Sequence, residues 1–280
     1  MLELDVAIQL AKEAGRKIME FYGSDVAVQL KADGTPVTPA DIASSRALIR
    51  GLRDTFPYHS ILSEETFQEK DGRAAKKRLD NKHLWIVDEL DGTSDFEKRT
   101  GDFSVMIAYL IERQPILAVV YAPAKDKLFT ATLGGGAWLT EKDVKTRLQI
   151  TNPRTLENAL IALSRKDMTE EQAREICAKF GAKGFRQAGS FGVKVGLIAE
   201  NQVDLYVNSS PNAAEWDACA PGLVLSEAGG RMTGYDGDTI TFNNPSPYLP
   251  NGAVCSTGLI HVPVLACVKS VMPFTPRKTA

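Results

Sequence analysis

The apolar residues in the first part of the chain recur at the three- and four-residue spacing of amphipathic helices. This spacing predicts one helix over residues 3–22 and a second helix that ends near Thr55. Thr38 fits the N-cap of the second helix, Pro39 its first position, and Asp41 the distal residue of a capping box. Two helices are therefore expected before the first strand of a sheet.

Short apolar runs between turn residues then predict a β-meander. Within the segment that begins at His83, the run at 84–87 has no polar interruption, which is typical of a buried strand. The charged segment 68–82 is expected to be a surface excursion, and the glycines at 134–136 to form a turn. The predicted strands cover residues 60–63, 83–87, 103–111, 115–121 and 128–132.

Beyond about residue 150, predicted strands alternate with predicted helices, which is typical of an α/β arrangement. We expect an α+β lobe over residues 1–150 and an α/β lobe over residues 151–280, packed together as one layered body. The predicted strands lie at 160–163, near Phe185, at 205–207, near Ile240 and at 253–256. The predicted helices cover 169–180, 193–199, 217–228 and 262–271.

The composition fits a globular protein and argues against several other classes. The chain has 280 residues, 44% of them hydrophobic, and a net charge of −2, so a sizeable core can form. This near-neutral balance gives no electrostatic argument for a polynucleotide or membrane-surface partner. The charged N-terminus does not resemble a signal peptide, and no apolar run approaches the ~20 residues of a membrane-spanning helix. The four cysteines lack CxxC spacing and are expected to be reduced thiols in a cytoplasmic protein.

The segment HLWIVDELDGTSDF, residues 83–96, concentrates acidic side chains directly after a buried strand. Asp88 and Asp91 are close enough in sequence for both side chains to face one region. Glu64 follows another predicted strand and Asp217 begins a predicted helix, and strand ends and helix starts line ligand sites in α/β proteins. Converging carboxylates repel one another unless a cation lies between them, and Mg²⁺ prefers such oxygen ligands. The pattern therefore predicts a divalent-cation site.

The residues beside the two aspartates could complete this site. The Leu90 carbonyl, released from the sheet ladder at a turn, would be a further oxygen ligand. Gly92 lets the backbone approach a ligand, and Thr93 can begin a helix whose first N–H groups would face an anion. A cation cluster next to a helix N-terminus suits a phosphoryl group.

Taken one at a time, these acids also have purely structural interpretations. Asp88 and Asp91 could be turn residues, since Asp-Gly pairs are common in turns. Asp217 could be a helix N-cap, Glu64 part of a solvated loop, and Asp41 only a capping-box residue. The structural interpretations weaken only if the segments occur together as one known pattern.

The segments do occur together, in an order that resembles a known superfamily. LSEE, WIVDELDGTSDF and EWDACAPGLVLSEAGG resemble the signatures of the lithium-sensitive, magnesium-dependent phosphomonoesterases, and KADGTPVTPAD resembles their N-terminal motif. This superfamily includes inositol monophosphatase, fructose 1,6-bisphosphatase and 3′(2′),5′-bisphosphate nucleotidase. The resemblance implies an α/β fold with an α+β N-terminal half, layered as the α-β-α-β-α sandwich of the inositol monophosphatase type.

The resemblance also implies roles for individual residues, toward two or three Mg²⁺ ions. Gly92 and Thr93 match the phosphate-binding turn, and Asp41 matches an acid near a weaker third ion. Where members of this group usually have proline after the first aspartate, this chain has Glu89, which we expect to face solvent. The implied metal ligands, all but the last in the N-terminal lobe, are Glu64, Asp88, the Leu90 carbonyl, Asp91 and Asp217.

The chemistry implied is hydrolysis of a phosphomonoester by direct attack of water. One ion would lower the pKa of the water, which Thr93 would orient together with Glu64 or Asp41, and a second ion would neutralise the leaving oxygen. Catalysis would then consist mainly of positioning and charge neutralisation. Inhibition by Li⁺ is expected from the resemblance alone.

The substrate-binding segments favour a 3′(2′),5′-bisphosphate nucleotidase, with 3′(2′)-phosphoadenosine 5′-phosphate as the substrate. AGSFGVKVGLIAE, with Ser190 and Lys194, resembles the nucleotide-contacting GSSxK segment of that class. Arg99 or Arg165 could help Lys194 to hold a second phosphate. VNSSPNAAEWD lacks the acid that inositol monophosphatases place before the WD motif, although Asp167 departs from the nucleotidase pattern, which has histidine there.

Two other readings stay open at this point. Within the phosphatases, the alternative is an inositol monophosphatase or another sugar-phosphate phosphatase. From a different class, the chain could be a catalytically silent metal- or nucleotide-binding protein, against which the intact set of ligand carboxylates argues. A nuclease would share the carboxylates, but the chain has no basic stripe for a polynucleotide.

Overall fold

The computed structural model describes residues 1–24, 29–30, 36–67, 72–151 and 154–277. Most of the KADGTPVTPAD motif before Pro36, and the start of the predicted excursion at 68–71, lie outside these ranges. The described residues form eight α-helices: α1 Leu2–Phe21, α2 Pro39–Thr55, α3 Gly72–Leu79, α4 Thr93–Glu97, α5 Glu170–Phe180, α6 Phe191–Ala199, α7 Glu215–Glu227 and α8 His261–Val271. None of these helices is long and apolar enough to cross a membrane.

Within these ranges the strands form three sheets, of which the smallest is the two-residue ladder of β1 Gln29–Leu30 with β2 Pro36–Val37. The largest contains β3 Ser60–Ser63, β4 His83–Asp91, β5 Ser104–Ile111, β6 Gln114–Ala122, β7 Lys127–Thr132, β8 Gly136–Glu141 and β9 Val144–Leu148, side by side in chain order. The third contains β10 Leu160–Ser164, β11 Gly184–Ala188, β12 Leu205–Asn208, β13 Gly230–Thr233 and β14 Ala253–Thr257.

The helices and the two large sheets stack as five layers. Helices α1 and α2 cover one face of the seven-stranded sheet, and α7 crosses its other face. Helices α6 and α7 pack together between the two sheets, while α5 and α8 cover the outer face of the five-stranded sheet. The result is the α-β-α-β-α sandwich and the α/β class that the sequence resemblance implied. The division into two lobes at residue 150 stays a prediction, although each large sheet falls within one of these stretches.

Three apolar cores separate the layers, and strand β4 contributes to two of them. Trp85 and Val87 face α1 and α2, whereas Leu84 and Ile86 face the central helices. Because side chains alternate between the faces of a strand, a strand covered on both sides must be apolar throughout. This explains the uninterrupted run at 84–87 and fixes the face on which each following acid of β4 lies.

Most sequence-based expectations for the elements are confirmed, including the capping box of α2, in which Thr38 is the N-cap and Asp41 the N3 residue. The surface excursion at 68–82 is wrong in part, because it contains α3. The buried Arg78 of this helix donates to Asn243 Oδ1 (2.5 Å) and to the Asn244 carbonyl (2.8 Å). A charged segment can therefore form a docked helix when one long side chain reaches across to another loop.

The other differences between the expected and the observed elements concern strands near the edges of the sheets. The strand expected near Ile240 is absent from the described residues there, and β13 lies at Gly230–Thr233 instead. Strands β8 and β9 were not predicted, because β9 at the sheet edge is exposed at four of its five residues and carries no alternating apolar face. Such a segment is held mainly by its backbone ladder with β8.

Candidate active site

The candidate site lies where the carboxyl end of β4 meets the first turns of several helices. Strand β4 supplies Asp88 and Asp91, and the first turn of α7 supplies Asp217. A cavity of about 720 Å³ opens here, lined by residues from both large sheets and from the central helices. The topology therefore brings together residues that are more than a hundred positions apart in the sequence.

Three carboxylates converge at the centre of this site. One oxygen from each of Asp88, Asp91 and Asp217 lies within 4.8 Å of the other two, a spacing that could hold a metal ion. Asp88 is fully buried, and its Oδ2 atom has no hydrogen-bond partner among the residues that the structure describes. An unpartnered carboxylate oxygen in the interior is energetically costly, because it has lost its water without gaining a donor. A bound cation would remove this cost.

The electrostatics of the three acids lead to the same conclusion. Burial raises the pKa of Asp88 and of Asp217 well above the usual range of an aspartate, and the negative charges of the neighbouring acids raise it further. The pKa of Asp91 is also raised by burial, against which the Ser190 hydroxyl and the Lys194 charge act. Oxygen donors crowded in this way fit a hard divalent cation such as Mg²⁺.

Strand β4 is irregular between the two aspartates that it contributes. Asp88 pairs with Met106 and Asp91 with Ser104, and the register shifts between these two pairs. The Leu90 carbonyl lies in this irregular stretch and accepts from the Thr93 hydroxyl at 3.3 Å. The sequence reasoning expected a turn to release this carbonyl, and the structure shows an irregularity within the strand instead.

Glu64 enters the site from the neighbouring parallel strand. It directly follows β3, its backbone N–H donates to the Val87 carbonyl at 3.3 Å, and it lines the cavity. Its negative charge is one of the causes that raise the pKa of Asp88. Glu64 lies outside the tight group of three carboxylates but faces the same cavity.

Asp41 and Thr93 form a second polar group beside the carboxylates. The Thr93 hydroxyl reaches Asp41 Oδ1 at 3.2 Å, and Asp41 Oδ2 accepts from the Thr38 N–H at 2.7 Å and the Thr38 hydroxyl at 2.6 Å. One carboxylate oxygen therefore caps α2 while the other faces Thr93. The structural and functional interpretations of Asp41 are compatible, since each uses a different oxygen.

Gly92 occupies a position that would not accept another residue. Its φ is +95°, and a Cβ atom would come within 2.8 Å of the Asp102 carbonyl oxygen and 3.2 Å of the Ser190 backbone nitrogen. Only glycine adopts this conformation without strain while leaving room for both backbone segments. The tight turn places Thr93 at the first position of α4.

Ser190, which sequence reasoning assigned to the substrate, is bonded to a predicted metal ligand. Its hydroxyl donates to Asp91 Oδ2, which also accepts from the Gly192 N–H at 2.9 Å. The same Ser190 oxygen accepts from the Val193 N–H at 3.0 Å and so caps α6. Ser190 is only 5% exposed. In this arrangement Ser190 orients Asp91.

The three predicted cationic substrate contacts have different environments. Lys194 lines the cavity but is buried, with its ammonium 4.7 Å from the centroid of the Tyr206 ring, and burial lowers its pKa. Arg165 forms ion pairs with Asp95 and, at 2.8 Å, with Asp102. Arg99 is exposed and is not among the residues that line the cavity. The structure therefore does not bring the three cations together.

Several cavity-lining residues were not singled out from the sequence. Lys166 lies immediately after Arg165, and Asn212 precedes the helix that carries Asp217. Tyr248, Met272 and Arg277 come from loops and from the segment after α8. No local pattern marks these residues, because they reach the cavity only through the tertiary fold.

The expectation that Glu89 faces solvent is wrong, because Glu89 is only 1% exposed. Its carboxylate accepts from the Ser63 hydroxyl at 2.6 Å, the Ser45 hydroxyl at 2.9 Å and the Glu65 N–H at 3.5 Å. Burial raises the pKa of Glu89 to about 7. Glu89 thus joins α2, β3 and the loop that carries Glu64, at the position where the related enzymes usually have proline.

We expect Glu89→Ala to lower the free energy of unfolding by about 2–3 kcal/mol, whereas Glu89→Gln should cost less than about 1 kcal/mol. Alanine leaves a cavity and removes the acceptor of the Ser45 and Ser63 hydroxyls, while glutamine keeps an acceptor oxygen. Urea unfolding of the metal-free protein at neutral pH measures both values. An alanine variant as stable as the parent protein would show that the buried network contributes nothing to stability.

The sequence is similar to a known protein family and to several known proteins. The sequence matches the Inositol monophosphatase family over residues 3–268. It is 34% identical over 251 residues to the 3′(2′),5′-bisphosphate nucleotidase CysQ of Escherichia coli (strain K12), covering 89% of this chain and 97% of that protein. It is also 32% identical over 243 residues to the Nus factor SuhB of Haemophilus influenzae, covering 83% and 85% of the two chains.

A solved structure gives the same assignment for the fold. The IMPase of Thermotoga maritima superposes with a TM-score of 0.80 at 26% sequence identity, covering 97% of this chain and 98% of that one. The five-layer arrangement is therefore shared along almost the whole length of both proteins.

Proposed function

The chain belongs to the inositol monophosphatase family, and we propose that it is a magnesium-dependent phosphatase that hydrolyses 3′(2′)-phosphoadenosine 5′-phosphate to AMP and phosphate. The observation that carries this proposal is the group of Asp88, Asp91 and Asp217, in which the Oδ2 atom of Asp88 has no hydrogen-bond partner among the described residues. The four free cysteines agree with the prediction that it acts in the cytoplasm.

The proposed metal ligands are the carboxylates and carbonyl that face the cavity. Glu64, Asp88 and the Leu90 carbonyl would hold one Mg²⁺, and Asp88, Asp91 and Asp217 would hold a second. When bound, the ions would supply Lewis acidity and neutralise the charge of the phosphoryl group. The buried and mutually repelling carboxylates fit this role, because cations lower the electrostatic energy of the folded protein.

The proposed reaction also depends on groups of the chain itself. The Thr93 hydroxyl, hydrogen-bonded to Asp41, would orient the attacking water. Asp41, or Glu64 directly after β3, would accept the proton that the water loses. Gly92 and Thr93, in the tight turn, would bring backbone N–H groups close to the phosphate. Ser190 would keep Asp91 in a fixed orientation through its hydrogen bond.

The substrate proposal rests on the relatives and on the cations of the cavity. The nucleotidase of Escherichia coli matches this chain over nearly its full length. Lys194 and Lys166 line the cavity and provide positive charge for an anionic substrate. The second candidate is an inositol or sugar phosphate, which the superposition on the Thermotoga maritima IMPase favours. A catalytically silent binding protein is disfavoured, since every proposed metal-ligand position carries an oxygen donor.

We expect phosphate release to be fastest from 3′-phosphoadenosine 5′-phosphate when it is compared with inositol 1-phosphate and fructose 1,6-bisphosphate at equal concentrations. Each assay is run with Mg²⁺, with EDTA, and with Mg²⁺ plus millimolar Li⁺, which should inhibit. Preference for inositol 1-phosphate would replace the nucleotide by the second candidate. No magnesium-dependent release from any of the three would contradict the phosphatase itself.

A further inference from the structure

The segment that follows α8 folds back onto the body of the protein. Met272 is 7% exposed, and its N–H donates to the Val268 carbonyl at 2.8 Å. The Phe274 ring lies 5.7 Å from the Tyr235 ring, and a Cβ atom on Gly252 would come within 3.1 Å of it. These contacts hold the segment against the protein and direct the residues after Phe274 toward the active-site cavity.

Arg277 meets the cavity wall through an aromatic ring. Its guanidinium carbon lies 3.7 Å from the centroid of the Tyr248 ring, and its Nη1 atom donates to Asn212 Oδ1 at 3.5 Å. Arg277, Tyr248 and Asn212 all line the cavity. A cation stacked on a ring in this way is attracted by the negative face of the ring and held in one orientation.

Tyr248, whose ring lies beneath Arg277, contacts through its backbone the start of α7, the helix that carries the predicted metal ligand Asp217. Tyr248 forms a β-bridge with Ala214, and the Leu249 N–H donates to the Ala213 carbonyl at 2.8 Å. The Ala214 N–H in turn donates to Asp217 Oδ2 at 2.6 Å. Arg277 is therefore placed at a defined position relative to the carboxylate group rather than on an independent loop.

The cavity is lined by both acidic and basic side chains. The carboxylates of Asp88, Asp91 and Asp217 form an acidic group that needs cations before it can receive a phosphate. Among the described residues that line the cavity, Lys166, Lys194 and Arg277 are the cationic ones. Lys194 is buried between aromatic and acidic groups, and Lys166 is exposed on the loop after β10. Lys194 and Arg277 both lie over aromatic rings, and of the three cations Arg277 is the one that carries a guanidinium.

We propose that Arg277 binds the phosphate of the substrate that is not hydrolysed, and so makes the enzyme selective for substrates that carry two phosphates. This inference rests on the proposed function. A guanidinium has several N–H donors in one plane and binds phosphate with two of them, which a lysine cannot do. We assign to Arg277 the contact that the sequence offered to Arg99 or Arg165: Arg99 does not line the cavity, and Arg165 forms ion pairs with Asp95 and Asp102.

Arg277→Gln tests the proposal through a pattern of substrate effects. KM for 3′-phosphoadenosine 5′-phosphate should rise about tenfold with kcat changed less than twofold, the loss expected for one charge-assisted pair of hydrogen bonds. KM for 2′-AMP or inositol 1-phosphate, which lack a second phosphate, should not change. Arg277→Lys should recover part of the loss. Lys269→Gln, on the exposed side of α8, is the matched control and should behave as the parent protein.

Product inhibition separates a failure of this inference from a failure of the proposed function. AMP keeps the second phosphate, so its inhibition constant should rise about tenfold in Arg277→Gln, while that of inorganic phosphate should not change. This is measured with whichever phosphomonoester the parent protein hydrolyses best. If 3′-phosphoadenosine 5′-phosphate is not hydrolysed, the proposed substrate is wrong. If AMP inhibits both proteins equally, or neither, the role of Arg277 is overturned whatever the substrate.

Discussion

Asp91→Asn is expected to lower kcat for phosphate release by about 10³-fold or more and, at the same time, to raise the melting temperature of the metal-free protein. Asparagine has nearly the shape of aspartate and keeps one acceptor oxygen for the Gly192 N–H. It removes, however, one of the three negative charges that would hold the second metal ion. Activity and stability should therefore change in opposite directions.

The physical reason is the cost of the carboxylate group when no cation is bound. Asp88, Asp91 and Asp217 are close together, and burial together with the negative charges of neighbouring acids raises the pKa of all three. Replacing one of them with a neutral amide removes two repulsive pairs and adds an N–H donor beside the remaining carboxylates. Groups that are arranged for ligand binding at the expense of the free protein's stability are common in functional sites.

Thermal unfolding with and without Mg²⁺ measures both halves of this prediction. In the parent protein Mg²⁺ should raise the melting temperature, because it binds only the folded chain, and in Asp91→Asn this increase should be much smaller. Asp80→Asn, at an exposed acid that does not line the cavity, is the control for a general loss of negative charge. Magnesium-dependent turnover that survives in Asp91→Asn would falsify the assignment of Asp91.

Comparison of particular residues shows which parts of the site the sequence could predict. Asp88 and Asp91 are separated by two residues in one strand, so their proximity follows from local sequence alone. Asp217 comes from a distant helix, and it was placed beside them by the general rule that strand ends and helix starts line ligand sites and by the resemblance to a family. Its structural alternative was wrong in detail, because the N-cap of α7 is Ala214 and Asp217 is the N3 residue, which accepts from the Ala214 N–H.

The residues that were misplaced depend on the tertiary fold. Glu89 was expected in solvent because the rest of the motif is intact, yet two serine hydroxyls from separate elements donate to its carboxylate. Neither serine is marked by any local pattern. Ser190 was predicted as a substrate contact because its segment resembles GSSxK, and this stays a prediction beside its observed bond to Asp91. The neighbouring Gly192 allows close packing, since a Cβ atom on it would come within 2.7 Å of the Ser104 hydroxyl.

The layered architecture was more accessible to sequence reasoning than the position of each cation. The periodicity of α1 and α2 and the apolar run of β4 report burial directly, because each side chain contributes to the pattern by its own hydrophobicity. Cations such as Arg165 and Arg277 give no comparable signal. Whether a surface arginine binds a carboxylate, stacks on a ring or contacts a ligand depends on which distant segment the fold brings against it.

Thr93→Val is expected to lower kcat by about 10²–10³-fold with a smaller effect on KM. Valine keeps the branched shape of threonine but removes the hydroxyl that links Asp41 Oδ1 with the Leu90 carbonyl. The hydroxyl carries a single hydrogen and can donate to only one of these two oxygens at a time. It can thus change its donor direction when a water and a phosphate enter the site, and valine cannot.

The combination with Asp41→Asn tests whether the two residues act as one unit. If Thr93 orients the water through Asp41, the double variant should lose hardly more activity than Thr93→Val alone, because residues of one unit are not additive. Thr93→Ser, which restores the hydroxyl, should regain most of kcat. Steady-state kinetics of all four variants at saturating Mg²⁺ provide the comparison. Losses that multiply in the double variant would mean that Thr93 and Asp41 contribute independently, with Glu64 then the remaining acceptor for the proton of the water.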